Sequence, residues 1–304
     1  MLLDGKVAVV TGAARGLGRV EALELARNGA RVVVNDLGTA SDGSGRDEGP
    51  AQAVVAEIKD MGGEAVAHFG DVAEWNDAKA LIKTAVDTFG DFNILMNNAG
   101  FCRDKMIFNM TEEEFDSVMR VHVKGHFCTM RFASEYWRGR SKETGEPGYG
   151  RIINTASEAF IFGSPGQPNY AAAKAGIVAM TMCAAQTLNR YGATSNVIMP
   201  RARTRMNDSG ILADMFAKPD DGFDTFAPEN VGPLVAYLAS PKAASVNGYV
   251  MIVWGKEIKM VDKPGTGARF ETADPWTVDS VADQLDPYFV DREPIFGGFT
   301  VEPS

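Results

Sequence analysis

Tyr170 and Lys174 stand four residues apart in a stretch whose pattern predicts a helix, so their side chains share one face. A phenol beside an ammonium can give or take a proton at an alcohol or carbonyl oxygen. Tyrosine titrates near ~10, and bringing it to about 7 takes roughly 4 kcal/mol of differential stabilisation. A nearby ammonium favours the phenolate and so works in that direction. Ser157 lies thirteen residues earlier, at the end of a predicted strand, where its hydroxyl can hold the substrate oxygen beside the phenol. A Tyr–Lys pair at this spacing is common on helices, so its chemistry depends on what surrounds it.

A second group of residues suits an anion. Thr11-Gly-Ala-Ala-Arg-Gly-Leu-Gly18 follows a predicted strand and runs straight into a predicted helix. Glycines there permit a tight turn and close approach of a pyrophosphate, whose charge the helix N-terminus stabilises. The spacing is G-x-x-x-G-x-G rather than G-x-G-x-x-G. Gly12, Arg15, Gly16, Leu17 and Gly18 are therefore candidate dinucleotide contacts. Asp36 closes the second predicted strand, where a carboxylate accepts from ribose hydroxyls and repels a 2′-phosphate. That favours NAD over NADP. Arg15 argues the other way, as a cation able to pair with a 2′-phosphate, and Asp36 carries more weight. Hydride would then move between the nicotinamide and the substrate carbon while Tyr170 handles the proton.

These groups need a scaffold, and the pattern supplies one. Lys6–Val10, Arg31–Asn35, Ala65–Phe69, Asn93–Met96, Arg151–Asn154, Asn196–Met199 and Tyr249–Val253 are short apolar runs that predict buried strands. Between them Gly18–Asn28, Gln52–Met61, Trp75–Phe89, Thr111–Arg138, Asn169–Tyr191 and Pro228–Ala239 predict helices. The alternation implies an α/β fold, a single doubly wound Rossmann-type domain whose parallel sheet of about seven strands is covered on both faces. Residues 1–255 form this domain, with cofactor and substrate sites together, and 256–304 form a C-terminal extension. Trp276, Tyr288, Phe289 and Phe296 suggest that the extension packs on the core or on a neighbouring subunit.

Composition narrows the partners. A net charge of −10 argues against nucleic acid, which selects a basic footprint. Cys102, Cys128 and Cys183 form no C-x-x-C pair and predict reduced, mostly buried thiols. The first strand pattern begins by Lys6, leaving no signal peptide, and no apolar run approaches the length of a membrane span. The ending is not a peroxisomal address. A cytoplasmic enzyme with a small-molecule substrate is the expectation. His122 and His126, four apart, could serve a metal, but no third ligand accompanies them and no metal site is expected.

Thr11–Gly18, Asp71-Val72, Asn97-Asn-Ala-Gly100, Ser157 and Tyr170-x-x-x-Lys174 stand in the order and spacing of the short-chain dehydrogenase/reductase family, which residues 4–255 resemble. The resemblance implies Asp71 and Val72 near adenine, and Asn98, Ala99 and Gly100 along the cofactor. Pro200 and Thr204 would flank it, Thr204 at the nicotinamide carboxamide. Lys174 would touch the nicotinamide ribose and lower the pKa of Tyr170. Asn35-Asp-Leu-Gly38, Val121-His122, Tyr149–Asn154, Gly166-Gln-Pro-Asn-Tyr170 and Arg205-Met206 further resemble the (3R)-hydroxyacyl-CoA dehydrogenase unit of peroxisomal multifunctional enzyme type 2, also called 17β-hydroxysteroid dehydrogenase type 4, and its stand-alone bacterial relatives. This implies a 3-hydroxyacyl-CoA or steroid-type substrate and a homodimer or homotetramer formed through the fourth and fifth helices.

Departures from the family pattern define the alternatives. His122 stands where many members have Asn, whose main-chain carbonyl holds a water leading from the lysine to solvent; either that carbonyl or the imidazole itself could act here. Pro200-Arg201 replaces a Pro-Gly pair, and Arg201, Arg203 and Arg205 could grip a substrate phosphate or carboxylate. The rival readings are an NADPH-dependent 3-oxoacyl reductase and a non-catalytic NAD-sensing scaffold; the intact Ser157, Tyr170 and Lys174 set disfavours the second.

Overall fold

The computed structural model describes residues 1–40, 43–204, 216–262 and 265–292. The strands β1 (Val7–Thr11), β2 (Arg31–Asn35), β3 (Ala65–His68), β4 (Ile94–Asn97), β5 (Gly150–Thr155), β6 (Ala193–Pro200), β7 (Val250–Trp254) and β8 (Glu257–Val261) form one sheet. Its order is β3-β2-β1-β4-β5-β6-β7-β8. All neighbours pair in parallel except β7 and β8. The predicted seven strands are all present. The eighth was not expected, and it lies in the stretch assigned to the extension. Gly255, with φ +49°, and Lys256 turn the chain back so that Trp254 pairs with Glu257. The resulting edge strand is exposed and carries Glu257 and Lys259, charges that suit an unpaired edge.

Alternation along each strand divides the core. Ala8, Val10, Ile94, Met96 and Ile153 face helix α1 (Gly16–Arg27). Val7, Val9, Val33, Leu95 and Ile152 face α3 (Trp75–Phe89) and α5 (His126–Thr144) on the other side. Burial of such side chains stabilises the fold by roughly 1.5–3 kcal/mol each. Between these helices in sequence lie α2 (Gly49–Asp60) and α4 (Glu112–Met119). The remaining α-helices among the described residues are α6 (Ala159–Phe162), α7 (Pro168–Leu188), α8 (Gly232–Ala239) and α9 (Val278–Phe289).

Strand β1 pairs with β2 on one side and β4 on the other, so the strand order reverses there. A crevice opens beyond the carboxyl ends of strands at such a reversal, and it is the usual ligand position in open α/β sheets.

Two predicted helices differ from expectation. The single helix foreseen over Thr111–Arg138 is α4, a π-helical turn over Arg120–Gly125, and α5. A π turn slips the helical repeat by a single residue, too little to break a long amphipathic pattern into two elements. Its last residue, Gly125, packs against Val72, where a Cβ would lie 2.8 Å from Val72 Cγ2. The stretch Pro168–Tyr191, α7 with its following turn, is long and apolar enough by composition to cross a membrane. That corrects the expectation that no such run exists; here Ile177 and Val178 of α7 are buried with Val197 and Met199 of β6.

In the C-terminal stretch α9 begins at a Thr277–Ser280 capping box and buries none of its residues. Phe270 meets Tyr288 edge-on at 5.2 Å, while Trp276 and Phe289 are exposed. Phe296 lies outside the described residues. Of the cysteines only Cys128 is fully buried; Cys102 is partly buried and Cys183 exposed, contrary to expectation.

Candidate active site

The turn after β1 is built for close approach. Gly12 and Gly16 have φ of +64° and +53°. A Cβ on Gly18 would fall 2.2 Å from the Gly12 carbonyl oxygen and 2.6 Å from Asn98 Nδ2. Asn98 donates through Nδ2 to the carbonyls of Thr11 and Gly12, and the amides of Asn98 and Ala99 donate to Thr11 Oγ1 at 3.0 and 3.1 Å. The end of β4 is thereby fastened to the glycine turn. Helix α1 has no side-chain cap and no acidic residue in its first turn, so its amides and its positive end are left for an anion.

A cavity of about 320 Å³ follows this turn, lined by Gly12, Arg15, Leu17, Asp36, Asp71 and Val72 among others. Asp36 has a task the sequence did not reveal: Oδ2 accepts from the Ala14 amide at 2.8 Å and Oδ1 from the Gly38 amide at 2.7 Å. Arg15 leans toward the loop after β2, reaching the Thr39 carbonyl at 3.4 Å. Asp71 accepts from the Ala73 amide and from Arg120 Nη2 at 2.7 Å. Arg120, which sequence reasoning missed, lines the same cavity and also binds Glu74.

A second cavity of about 330 Å³ adjoins it through the shared residues Leu17, Asn98, Gly100 and Thr204. Ser157, Tyr170, Lys174, His122 and Pro200 all line it. The four candidate catalytic residues, Ser157, Tyr170, Lys174 and His122, therefore meet in one place. Lys174 is buried and donates to the Thr155 carbonyl at 2.7 Å, with its ammonium 5.2 Å from the Tyr170 ring centroid. Burial pulls its pKa down to about 8, while the nearby Cys102 and Glu21 oppose that. Ser157 Oγ accepts from the Ala159 amide and hydrogen-bonds the Tyr170 side chain.

Tyr170 differs from expectation in the free protein. Burial raises its pKa well above the ordinary value, the neighbouring Cys102 and Asp104 work in the same direction, and the Ser157 hydrogen bond lowers it. In the free protein desolvation of the phenolate sets the direction of the shift, opposite to the lowering foreseen from Lys174.

Buried polar contacts hold α7 in register behind these groups. Thr129 donates to Asn97, Asn97 to Asn154, and Asn154 to Thr181, at 2.8–2.9 Å. Asn169 Nδ2 donates to the carbonyls of Arg103 and Glu114, and its Oδ1 accepts from the Tyr170 amide at 2.7 Å. Asn169 entered the sequence reading only as part of a motif; its anchoring of the start of α7 could not be read from spacing.

His122 sits in the π turn with its ring edge-on to Tyr170, centroids 5.3 Å apart. Its Nε2 faces the amide and carbonyl of Phe101 at 3.1 and 2.8 Å. Burial and the charge of Lys174 hold its pKa well below the ordinary 6.5. Its carbonyl accepts the main-chain amide of His126.

Two of the three arginines considered as an anion handle are engaged by internal carboxylates. Arg201 pairs with Glu158, and Arg203 with Asp224 and the Phe216 carbonyl. Each guanidinium already has an internal carboxylate. Arg205 and Met206 lie outside the described residues.

Comparison with known proteins agrees with this geometry. A family model described as short chain dehydrogenase matches residues 6–210. The chain is 47% identical over 298 residues to hydroxyacyl-CoA dehydrogenase ChsB1 of Mycobacterium tuberculosis, covering 96% of this chain and 91% of that protein. It is 39% identical over 282 residues to peroxisomal multifunctional enzyme type 2 of Drosophila melanogaster, covering 92% of this chain and 44% of that longer protein. A crystal structure of a short chain dehydrogenase from Mycobacterium avium matches with a TM-score of 0.86 at 46% identity, covering 98% of this chain and 100% of that one. With the glycine turn, the Asn98–Gly100 segment and the Ser157, Tyr170 and Lys174 group in their expected order, the chain belongs to the short-chain dehydrogenase/reductase family, oxidoreductases that act on CH–OH groups with a nicotinamide nucleotide, NAD or NADP.

Proposed function

We propose that the protein interconverts a 3-hydroxyacyl-CoA and its 3-oxo form with NAD. The observation that carries this reading is the convergence of Ser157, Tyr170 and Lys174 in a cavity that shares a wall with the phosphate-binding turn. The name of the Mycobacterium tuberculosis relative supports the substrate class. The uncapped start of α1, the positive φ of Gly12 and Gly16, and the open space over Gly16 among the described residues fit a dinucleotide pyrophosphate. Asp36 supports NAD, since its carboxylate at the end of β2 repels a 2′-phosphate. Asp71, Val72, Asn98, Ala99, Gly100, Pro200 and Thr204 would complete the cofactor walls.

When bound, the nicotinamide accepts or returns a hydride at the substrate carbon. The chain's own residues manage the proton. Ser157 holds the substrate oxygen beside the Tyr170 hydroxyl, and Tyr170 takes the alcohol proton in oxidation or gives it back in reduction. Lys174, fixed by the Thr155 carbonyl, presents its ammonium to the Tyr170 ring and favours the phenolate while it stays protonated. Its pKa of about 8 makes that support fade as pH rises past 8. The exposed Phe115 and Phe127 beside an open groove on α4 and α5 support a homodimer or homotetramer.

A screen of 3-hydroxyacyl-CoAs and ring-ketone steroids with both cofactors tests substrate and cofactor together. The expected result is the highest kcat/KM with a 3-hydroxyacyl-CoA and NAD. In the same assay Tyr170→Phe should lower kcat by about 10²–10⁴-fold while the Kd for NAD stays near wild type, because only the proton-carrying group is removed. Wild-type kcat in that variant overturns the catalytic assignment; a preference for NADP overturns the cofactor choice and favours the 3-oxoacyl reductase reading.

A further inference from the structure

Next to Ser157 is a charged pair that the proposed reaction does not use. Glu158, only 5% exposed, is the residue after Ser157; Arg201 is the residue after β6. Arg201 Nε lies 2.6 Å from Oε2 of Glu158 and Nη2 lies 2.7 Å from Oε1, a two-pronged pairing in which both guanidinium donors and both carboxylate oxygens are engaged. The side chains are 10% and 6% exposed. The guanidinium also lies over the Trp254 ring at 4.3 Å, and the Arg201 amide donates to the Val253 carbonyl at 3.0 Å. Arg201 is thus fixed to β7 from below and to Glu158 from the side.

Ser157 itself lies just past the sheet, and the Ala159 and Phe160 amides that donate to it are local. β5 ends at Thr155, the Ala156 amide makes a last bond to the Ile198 carbonyl, and the chain then leaves the sheet. The next element, α6, is a helix of a single turn. Between the sheet and that turn, Glu158 ties the segment to the rigid ends of β6 and β7. A bidentate Arg–carboxylate pair fixes orientation as well as distance, which a lysine cannot reproduce.

We propose that the Glu158–Arg201 pair is a positioning clamp for Ser157, holding its hydroxyl at the place where the substrate oxygen must sit. This rests on the assignment of Ser157 as the group that holds that oxygen. Both members line the substrate cavity, yet neither presents a free charge to it, so the pair acts through Ser157 rather than on an anionic group of the substrate. Displacement of a reacting partner by about 1 Å can lower a rate by about a hundredfold, so a small loosening of this segment is enough to matter.

The test is a double-mutant cycle with NAD and the 3-hydroxyacyl-CoA turned over fastest in the screen above, (3R)-hydroxydecanoyl-CoA being one probe of that class. Glu158→Gln keeps the shape of the side chain and removes its charge; Arg201→Lys keeps the charge and removes the fork. Each is measured alone and on a Ser157→Ala background, with the thermal midpoint and the Kd for NAD as checks on folding and cofactor binding. Alone, each variant should lose about ten- to a hundredfold in kcat, with the Kd for NAD unchanged. On the Ser157→Ala background the same changes should cost less than about threefold, because the hydroxyl they position is gone. Equal losses on both backgrounds, or wild-type kcat in both single variants, overturn the clamp and leave the Ser157 assignment standing. Wild-type kcat in Ser157→Ala overturns the assignment and the clamp with it. If Glu158→Gln does not fold, Arg201→Lys alone decides by the same comparison.

Discussion

His122 fills the space that a side chain on Gly100 would need: a Cβ there would fall 2.1 Å from His122 Cε1. Its Nε2 bonds the main chain of Phe101, so the imidazole supports the segment along which the cofactor is proposed to lie. Burial and the neighbouring Lys174 ammonium disfavour its charged form, which leaves the ring neutral at the pH where the enzyme would work. A neutral ring with a depressed pKa is a poor carrier of protons near pH 6–7. His122→Asn should therefore keep most of kcat and leave the acidic limb of the pH–rate profile in place. A loss of about a hundredfold, or disappearance of an ionisation between about pH 6 and 7, would show the imidazole to be a working relay group.

At the scale of elements, the contact between the glycine turn and the end of β4 makes the clearest demand. Gly18 has no room for a methyl group beside the Gly12 carbonyl, a main-chain atom that can move only if the turn opens. Gly18→Ala should cost about 1–3 kcal/mol of stability and weaken NAD binding together. Thermal melts and cofactor titration measure both, and wild-type values for the two would mean the turn is looser than this packing implies. Such elements were largely legible in the sequence. The seven buried strands announce themselves as short β-branched runs, and the Thr11–Gly18 turn, Ser157, Tyr170 and Lys174 are marked by residue type and spacing. What stayed hidden depends on contacts between distant stretches. Glu158 and Arg201 are 43 residues apart, and nothing local distinguishes them from a solvated pair. Arg120 and Asn169 likewise act on partners from other elements. The π turn was hidden because its slip of one residue is lost in a long amphipathic stretch, and β8 because its exposed, charged pattern resembles a tail.

The molecule as a whole carries one acid that its fold tolerates poorly. Glu21 of α1 is fully buried, and neither oxygen finds a hydrogen-bond partner among the described residues. Desolvation pushes its pKa from the ordinary 4.5 up to about 8, against the pull of Lys174. The folded protein thus holds a proton there that the unfolded chain releases. The stability linked to that proton is full below the unfolded pKa and is lost as pH rises through about 8. Across that window it falls by about 1.4 kcal/mol per pH unit. Buried His122 and His126 titrate with the opposite sign, but both, with lowered pKa values, cease to contribute above 6.5. Between pH 6.5 and 8 the Glu21→Gln variant should therefore lose stability with pH more slowly than wild type. Parallel stability curves from urea unfolding across this range would mean that Glu21 is ionised in the folded protein. The same joining of local chemistry to global structure occurs at Asp36. Its two oxygens hold the Ala14 and Gly38 amides, one in the glycine turn and one in the loop after β2. An attempt to retool the protein for a phosphorylated cofactor by removing this carboxylate would strip two main-chain donors of their acceptors. Under the proposed reading, a redesign has to begin in the loop after β2, which must supply replacement acceptors before Asp36 can be exchanged.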